Sequence, residues 1–220
     1  MRILHLGHGP WSHFWEQYLR YVNNGEVMHH EDLSIQMLDR LLEVNNLRPK
    51  LLAHGIDDQD ITFIKELISG PIDPETGLPS RKPQAEPWPY RGRPEEKGFL
   101  YEIVANKENG KARLSSMPAP IPFSISIIYF AGIDVDKWDY FLRDNHHLKI
   151  GVVFEYERFI ACARLMRHDP SSGRHRICIK DKEARTITEM FIDRARLHTN
   201  GYQHRVTKTI DVMMVSYTYY

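Results

Sequence analysis

At 220 residues the chain is long enough for one domain with a full core. Its 29 Lys+Arg balance 29 Asp+Glu, so bulk charge argues for neither a nucleic-acid coat nor a membrane surface, although local basic clusters remain open. Two cysteines, Cys162 and Cys178, are too few for a disulfide framework or a zinc ribbon; a reducing compartment, cytosol or nucleus, is the default, and no signal peptide is visible.

In chain order, His5, His8 and His13 come first, set around two glycines in Leu-His-Leu-Gly-His-Gly-Pro-Trp-Ser-His at 4–13. Residues 12–21 predict a helix, with Phe14, Trp15 and Tyr18 at helical spacing. Residues 31–45 form the clearest amphipathic pattern. There Leu33, Met37, Leu38, Leu41 and Leu42 share a stripe and Asp39, Arg40 and Glu43 face away. Asp57-Asp58 opens a helix through Ile61, Ile64, Leu67 and Ile68, and Gly70-Pro71 stops it. Prolines and glycines make 71–94 a loop, and 98–107 resumes as helix.

Residues 111–131 (KARLSSMPAPIPFSISIIYFA) do not fit this pattern. Pro118, Pro120 and Pro122 break any helix, and the apolar run after them falls short of the roughly 20 residues a membrane span needs. A buried loop or edge strand is one reading. The preferred one is a foreign insertion, a translated intron, that is poorly ordered and aggregation-prone. Helices follow at 136–147 and 156–163. Strands at 163–168 and 175–180 flank Pro170-Ser171-Ser172-Gly173 as a hairpin, and a long final helix runs from about Lys182 to beyond Met213. The fold class is therefore mainly α, with a small antiparallel β-hairpin near 163–180.

Histidines plus a distant aspartate suit a metal- or phosphate-handling site, because imidazole and carboxylate can share a hard or borderline cation. His13 and Glu16 stand at i,i+3, a spacing that lets the acid orient the imidazole and favour its protonated form. The competing reading is that these histidines only hydrogen-bond neighbouring helices. Lys137, Tyr140 and Asp144 fall on one helical face, and Arg194, His198, Tyr202 and Gln203 lie near another. A solvated surface charge is the alternative for Lys137 and Arg194.

The strings HLGHGPWSH, FIKELISGP, WPYRGRPEEKGFLYEIVANK, IDVDKWDYFLRDNHHL, RICIKDKE and LHTNGYQH resemble the sterile-alpha-motif and HD-domain deoxynucleoside triphosphate triphosphohydrolases. The resemblance covers most of the chain except 111–131. It implies a mostly helical HD-domain fold and dGTPase-like cleavage of a dNTP to deoxynucleoside and triphosphate, lowering dNTP pools. It implies a divalent metal (Mg, Mn, Fe or Zn), held in the family by a histidine, a His-Asp doublet and a distant aspartate. It also implies a homotetramer with GTP and dNTPs as allosteric activators, in the nucleus or cytoplasm, with single-stranded nucleic acid as a further candidate partner and no membrane.

Carried over by residue, the resemblance puts His8, His13 and His30 near the triphosphate and the scissile bond, with Glu16 in place of an aspartate. It puts Lys137 on phosphate, Tyr140 against the sugar, where it excludes a 2′-hydroxyl, and Asp144 on the 3′-hydroxyl. Arg194, His198, Tyr202 and Gln203 serve phosphate contact, substrate support and sugar or base recognition. Arg158, Lys180, Lys182, His204 and Arg205 line a regulatory nucleotide pocket at the subunit interface, with Lys180 and Asn200 replacing arginines. Asp136 matches one metal ligand unchanged. Leu4-His5 stands where the doublet is implied, and leucine cannot bind a metal. The expectation is a partial HD-type domain over 1–220, a truncated or mis-spliced member with weak or no metal binding and little or no activity. The alternatives are a non-catalytic nucleotide- or single-stranded nucleic-acid-binding relative, or an unstable fragment from a faulty gene model.

Overall fold

The structure, a computed structural model, describes residues 12–25, 28–80, 88–104, 133–151, 154–167 and 173–219. The expected insertion at 111–131, the turn at 170–172, His5 and His8 lie outside these residues. The chain divides into two compact units, 1–94 with 209–220, and 95–208. The fold is mainly helical with one two-stranded antiparallel sheet, as expected.

The first unit begins with α1 (Ser12–Val22) and α2 (His30–Val44). Helix α2 buries Ser34, Ile35, Leu38 and Leu42, a narrower stripe than the sequence suggests, because Met37 is exposed. The short α3 (Arg48–Ala53) was not expected; it carries Pro49 in its first turn, where proline's missing N–H is harmless. Helix α4 (Asp58–Ser69) starts as read, on Asp57. Asp57 accepts from the Asp60 N–H and Asp60 from the Asp57 N–H, at 2.9 and 3.0 Å, so two orphan donors are satisfied reciprocally. Gly70, at φ +91°, ends it. The core joins Ile35, Leu38 and Leu42 to Ile61, Ile68 and Ile72.

The described ends of the loop at 71–94 are anchored. Ile72 and Pro79 form an isolated antiparallel bridge. The buried Glu66 carboxylate accepts the Arg91 and Gly92 N–H groups at 2.7 and 2.9 Å. Arg93 pairs with Asp60 and lies 4.5 Å from the centre of the Phe63 ring.

In the second unit a 3₁₀ segment, Glu95–Leu100, leads into one turn of α5 (Tyr101–Val104). The helix expected over 98–107 is thus partly 3₁₀, and its last residues lie outside those described. Helix α6 (Val135–Leu148) is capped by Asp134, and α7 (Tyr156–Cys162) runs into the hairpin. Strand β1 (Ala163–Arg167) pairs with β2 (His175–Ile179) in register from Ala163↔Ile179 to Arg167↔His175.

The long final helix is a correction. A 3₁₀ turn (Asp181–Glu183) precedes α8 (Ala184–Leu197), a π-helical turn follows at His198–Tyr202, and α9 (Arg205–Tyr219) starts afresh. The Gln203 N–H reaches back five residues to the His198 carbonyl at 2.7 Å. Asn200 and Gly201 are weak helix formers at the point where the ladder widens. The core of this unit gathers Phe141, Phe154, Phe159, Ile179, Ile187, Met190 and Leu197. Among the described residues no helix is long and apolar enough to cross a membrane.

Candidate functional site

In the first unit, α1 carries His13 and Glu16 one turn apart, and α2 begins at His30. Glu16 Oε1 accepts the His30 backbone N–H at 2.9 Å and meets His30 Nδ1 at 2.6 Å. The backbone contact satisfies a donor that a helix start leaves without an intrahelical partner. His13 Nδ1 stands 3.6 Å from the other carboxylate oxygen, and the His13 and His30 rings meet edge to face at 5.3 Å. The expected His13–Glu16 pair exists, yet the tighter partner of Glu16 is His30. Burial pushes the Glu16 carboxyl up, but the His30 backbone and imidazole contacts outweigh it and hold the group below its usual range. The Nδ1 contact fixes the orientation of the His30 ring.

The second unit assembles most of the expected substrate side. Helices α6 and α8 bring Tyr140 and Arg194 together, with Arg194 Nε donating to the Tyr140 hydroxyl at 3.4 Å. The π turn swings Tyr202 toward α6, where its hydroxyl donates to Asp144. His198 and Tyr202 rings lie 5.0 Å apart, and Tyr140 and Tyr202 rings 6.2 Å apart. Tyr140, Asp144, Arg194, His198 and Tyr202 therefore form one connected group.

Lys137 is no solvated charge. Its Nζ lies 2.6 Å from Asp134, a buried carboxylate that also accepts the Lys137 N–H at 2.9 Å. Gln203 is exposed just past the π turn. Burial raises the Tyr140 phenol despite Arg194, and burial together with Asp144 raises Tyr202. Burial and the Arg194 charge lower His198, which favours the neutral imidazole. Beside this group lies a cavity of about 450 Å³, lined in part by Asp144, His147, Asn200, Tyr202 and His204, within the size range of small-molecule sites.

Of the expected regulatory cations, Arg158 and Lys182 meet at Glu183. Arg158 grips the buried Glu183 carboxylate through Nε and Nη2 at 3.1 and 3.2 Å, and Lys182 Nζ approaches it to 4.0 Å. The Arg158 contacts hold Glu183 below its usual range. Thr186 and Cys162 also donate to Glu183. Lys180 is exposed at the start of the 3₁₀ turn, and Arg205 is exposed on α9. His204 instead lines the cavity beside Asp144 and Tyr202. Glu183 thus neutralises part of the positive charge at Arg158 and Lys182.

Asp136 sits half-buried in the first turn of α6. At two of the positions where the resemblance implies metal ligands, this sequence carries other residues. Leu4 offers no lone pair, and His5 puts a neutral nitrogen where a charged oxygen is implied. Sequence reasoning missed Asp134 and Glu183. Asp134 had a usable signal, an acid immediately before a helix with a lysine three residues on.

No family model matches the chain. It is 41% identical over 211 residues to the deoxynucleoside triphosphate triphosphohydrolase SAMHD1 of Danio rerio, covering 95% of this chain and 29% of that protein. The Homo sapiens protein of the same name gives the same identity and coverage. The Dictyostelium discoideum homolog is 29% identical over 212 residues, 95% of this chain and 30% of that protein. The chain thus spans about three tenths of the length of these curated relatives and is homologous to that stretch of them.

Proposed function

We propose that this chain, homologous over 95% of its length to deoxynucleoside triphosphate triphosphohydrolases, binds a deoxynucleoside triphosphate and has the chemistry of releasing triphosphate from it. The connected group of Tyr140, Asp144, Arg194, His198 and Tyr202 beside the cavity supports this most. A 3′-hydroxyl can donate to Asp144, which already accepts from the Tyr202 hydroxyl. Arg194, fixed against Tyr140, offers a guanidinium fork to phosphate. The Tyr140 ring excludes a 2′-hydroxyl by its bulk. In the first unit Glu16 orients His30, a pairing suited to proton transfer.

Leu4 and His5 favour a second reading, nucleotide binding without turnover, because the donors for the implied divalent cation are incomplete. One experiment separates the two. Purified chain is titrated with dGTP by calorimetry, then incubated with dGTP and manganese or magnesium. We expect binding with little triphosphate release. Robust release would remove the second reading, and the absence of binding would remove both. Assembly into a tetramer, activation by GTP or dNTPs at Arg158, Lys180, Lys182, His204 and Arg205, single-stranded nucleic-acid binding and residence in nucleus or cytoplasm belong to the same proposal.

A further inference from the structure

The first unit gathers metal-ligating atoms around one carboxylate. His13, Glu16 and His30 each bring one such atom within 4.8 Å of the other two, and Glu16, His29 and Glu31 do the same. His29 Nδ1 lies 3.8 Å from Glu16 Oε1, and Glu31 Oε2 lies 3.6 Å from His30 Nδ1. Three imidazoles and two carboxylates thus surround the junction of α1 and α2. We propose that His13, Glu16 and His30 bind a borderline divalent cation of the zinc class, with His29 and Glu31 at hand to complete the coordination.

Ligand chemistry favours this class of ion. Zinc takes imidazole and carboxylate at about 2.0–2.2 Å, and two histidines with one glutamate are a recurrent zinc set. Those bond lengths in a tetrahedron put neighbouring donor atoms roughly 3.2–3.5 Å apart. The His13–Glu16 and His30–Glu31 separations of 3.6 Å are already close to that. The 2.6 Å His30–Glu16 contact must open for both atoms to bind one ion. His13, with 81% of its side chain exposed, can turn to close the set. Magnesium and calcium prefer all-oxygen shells and are poorly served here.

The site shares no residue with the metal positions implied at Leu4, His5 and Asp136. Its geometry does not depend on nucleotide binding. It does have a consequence for that reading, because a cation on Glu16 and His30 occupies the pair that would otherwise move a proton.

Cobalt(II) is the probe, because four-coordinate cobalt absorbs visibly and zinc displaces it. Titrating the full chain should give one equivalent of cobalt with a four-coordinate spectrum, bleached by one equivalent of zinc and unaffected by excess magnesium. His13→Ala and His30→Gln should each weaken zinc binding at least about tenfold, while His146→Gln, in an exposed pair of histidines elsewhere, leaves it unchanged. His13→Ala is the safer variant, because that side chain is exposed. A missing cobalt spectrum, or one that survives both substitutions, overturns the site. So does its loss in His146→Gln. Calorimetric binding of dGTP to zinc-free chain is measured in parallel, so failure of the nucleotide reading is seen separately.

Discussion

Asp144 already accepts a hydrogen bond from Tyr202, yet it remains partly open on the cavity side. If it also receives the sugar 3′-hydroxyl, Asp144→Asn should weaken dGTP binding and leave the 2′,3′-dideoxy analogue almost untouched. A hydrogen bond to a charged acceptor is worth about 1.5–3 kcal/mol, so the expected loss is roughly tenfold or more. An equal loss for both nucleotides would assign Asp144 to the fold instead.

Glu16 makes a second residue-scale prediction. Its carboxyl is held low in the folded chain by His30, so it stabilises the chain at neutral pH and loses that contribution as acid protonates it. The stability gap between the native chain and Glu16→Gln should be full above about pH 4.5 and close as the pH falls below that. A gap that widens in acid would contradict the assignment. Tyr140, Asp144, Arg194 and His198 lie where helical spacing puts them, whereas Tyr202 reaches Asp144 only through the π turn. Asp134 and Glu183 were not legible, because a polar residue's burial depends on what packs over it, and no local pattern records that.

The long helices read well from their periods, and α4 read well from its cap. The six-residue α3 is too short to show a period. The π turn was invisible for a different reason: α8 and α9 both carry helical patterns, and only the weak helix formers Asn200 and Gly201 hint at the break. That break matters, since it lets the Tyr202 hydroxyl meet Asp144.

The loop anchored on α4 offers an element-scale test. A Cβ added at Gly92 would lie 2.4 Å from Phe63 Cα, a backbone atom that cannot step aside. Gly92→Ala should therefore cost at least as much as overpacking a core, about 1–3 kcal/mol. Glu66→Gln leaves one of two backbone N–H groups facing an amide NH₂, with an expected cost of about 1–3 kcal/mol. Urea midpoints read both. Midpoints that do not move would mean the loop is not held to α4 by these contacts.

At the scale of the molecule, balanced charge and a length near that of one domain conceal two compact units with separate apolar cores. The sequence marks the place only indirectly, since the loop over 71–94 ends where the second unit begins. The proposed nucleotide contacts lie in that second unit, within 95–208, and this makes the reading testable without any chemistry. A ligand that binds only the folded form stabilises it by RT ln(1 + [L]/Kd), about 2.7 kcal/mol at a hundredfold over Kd. Leu197 is fully buried in the second core and Ile35 in the first. Leu197→Ala and Ile35→Ala should each cost about 2–5 kcal/mol, and calorimetry on the two variants shows which part of the melt belongs to which core. Saturating dGTP should raise the part that Leu197→Ala lowers. A rise confined to the part that Ile35→Ala lowers would move the nucleotide to the first unit, and the absence of any rise would leave the cavity beside Asp144 without a nucleotide.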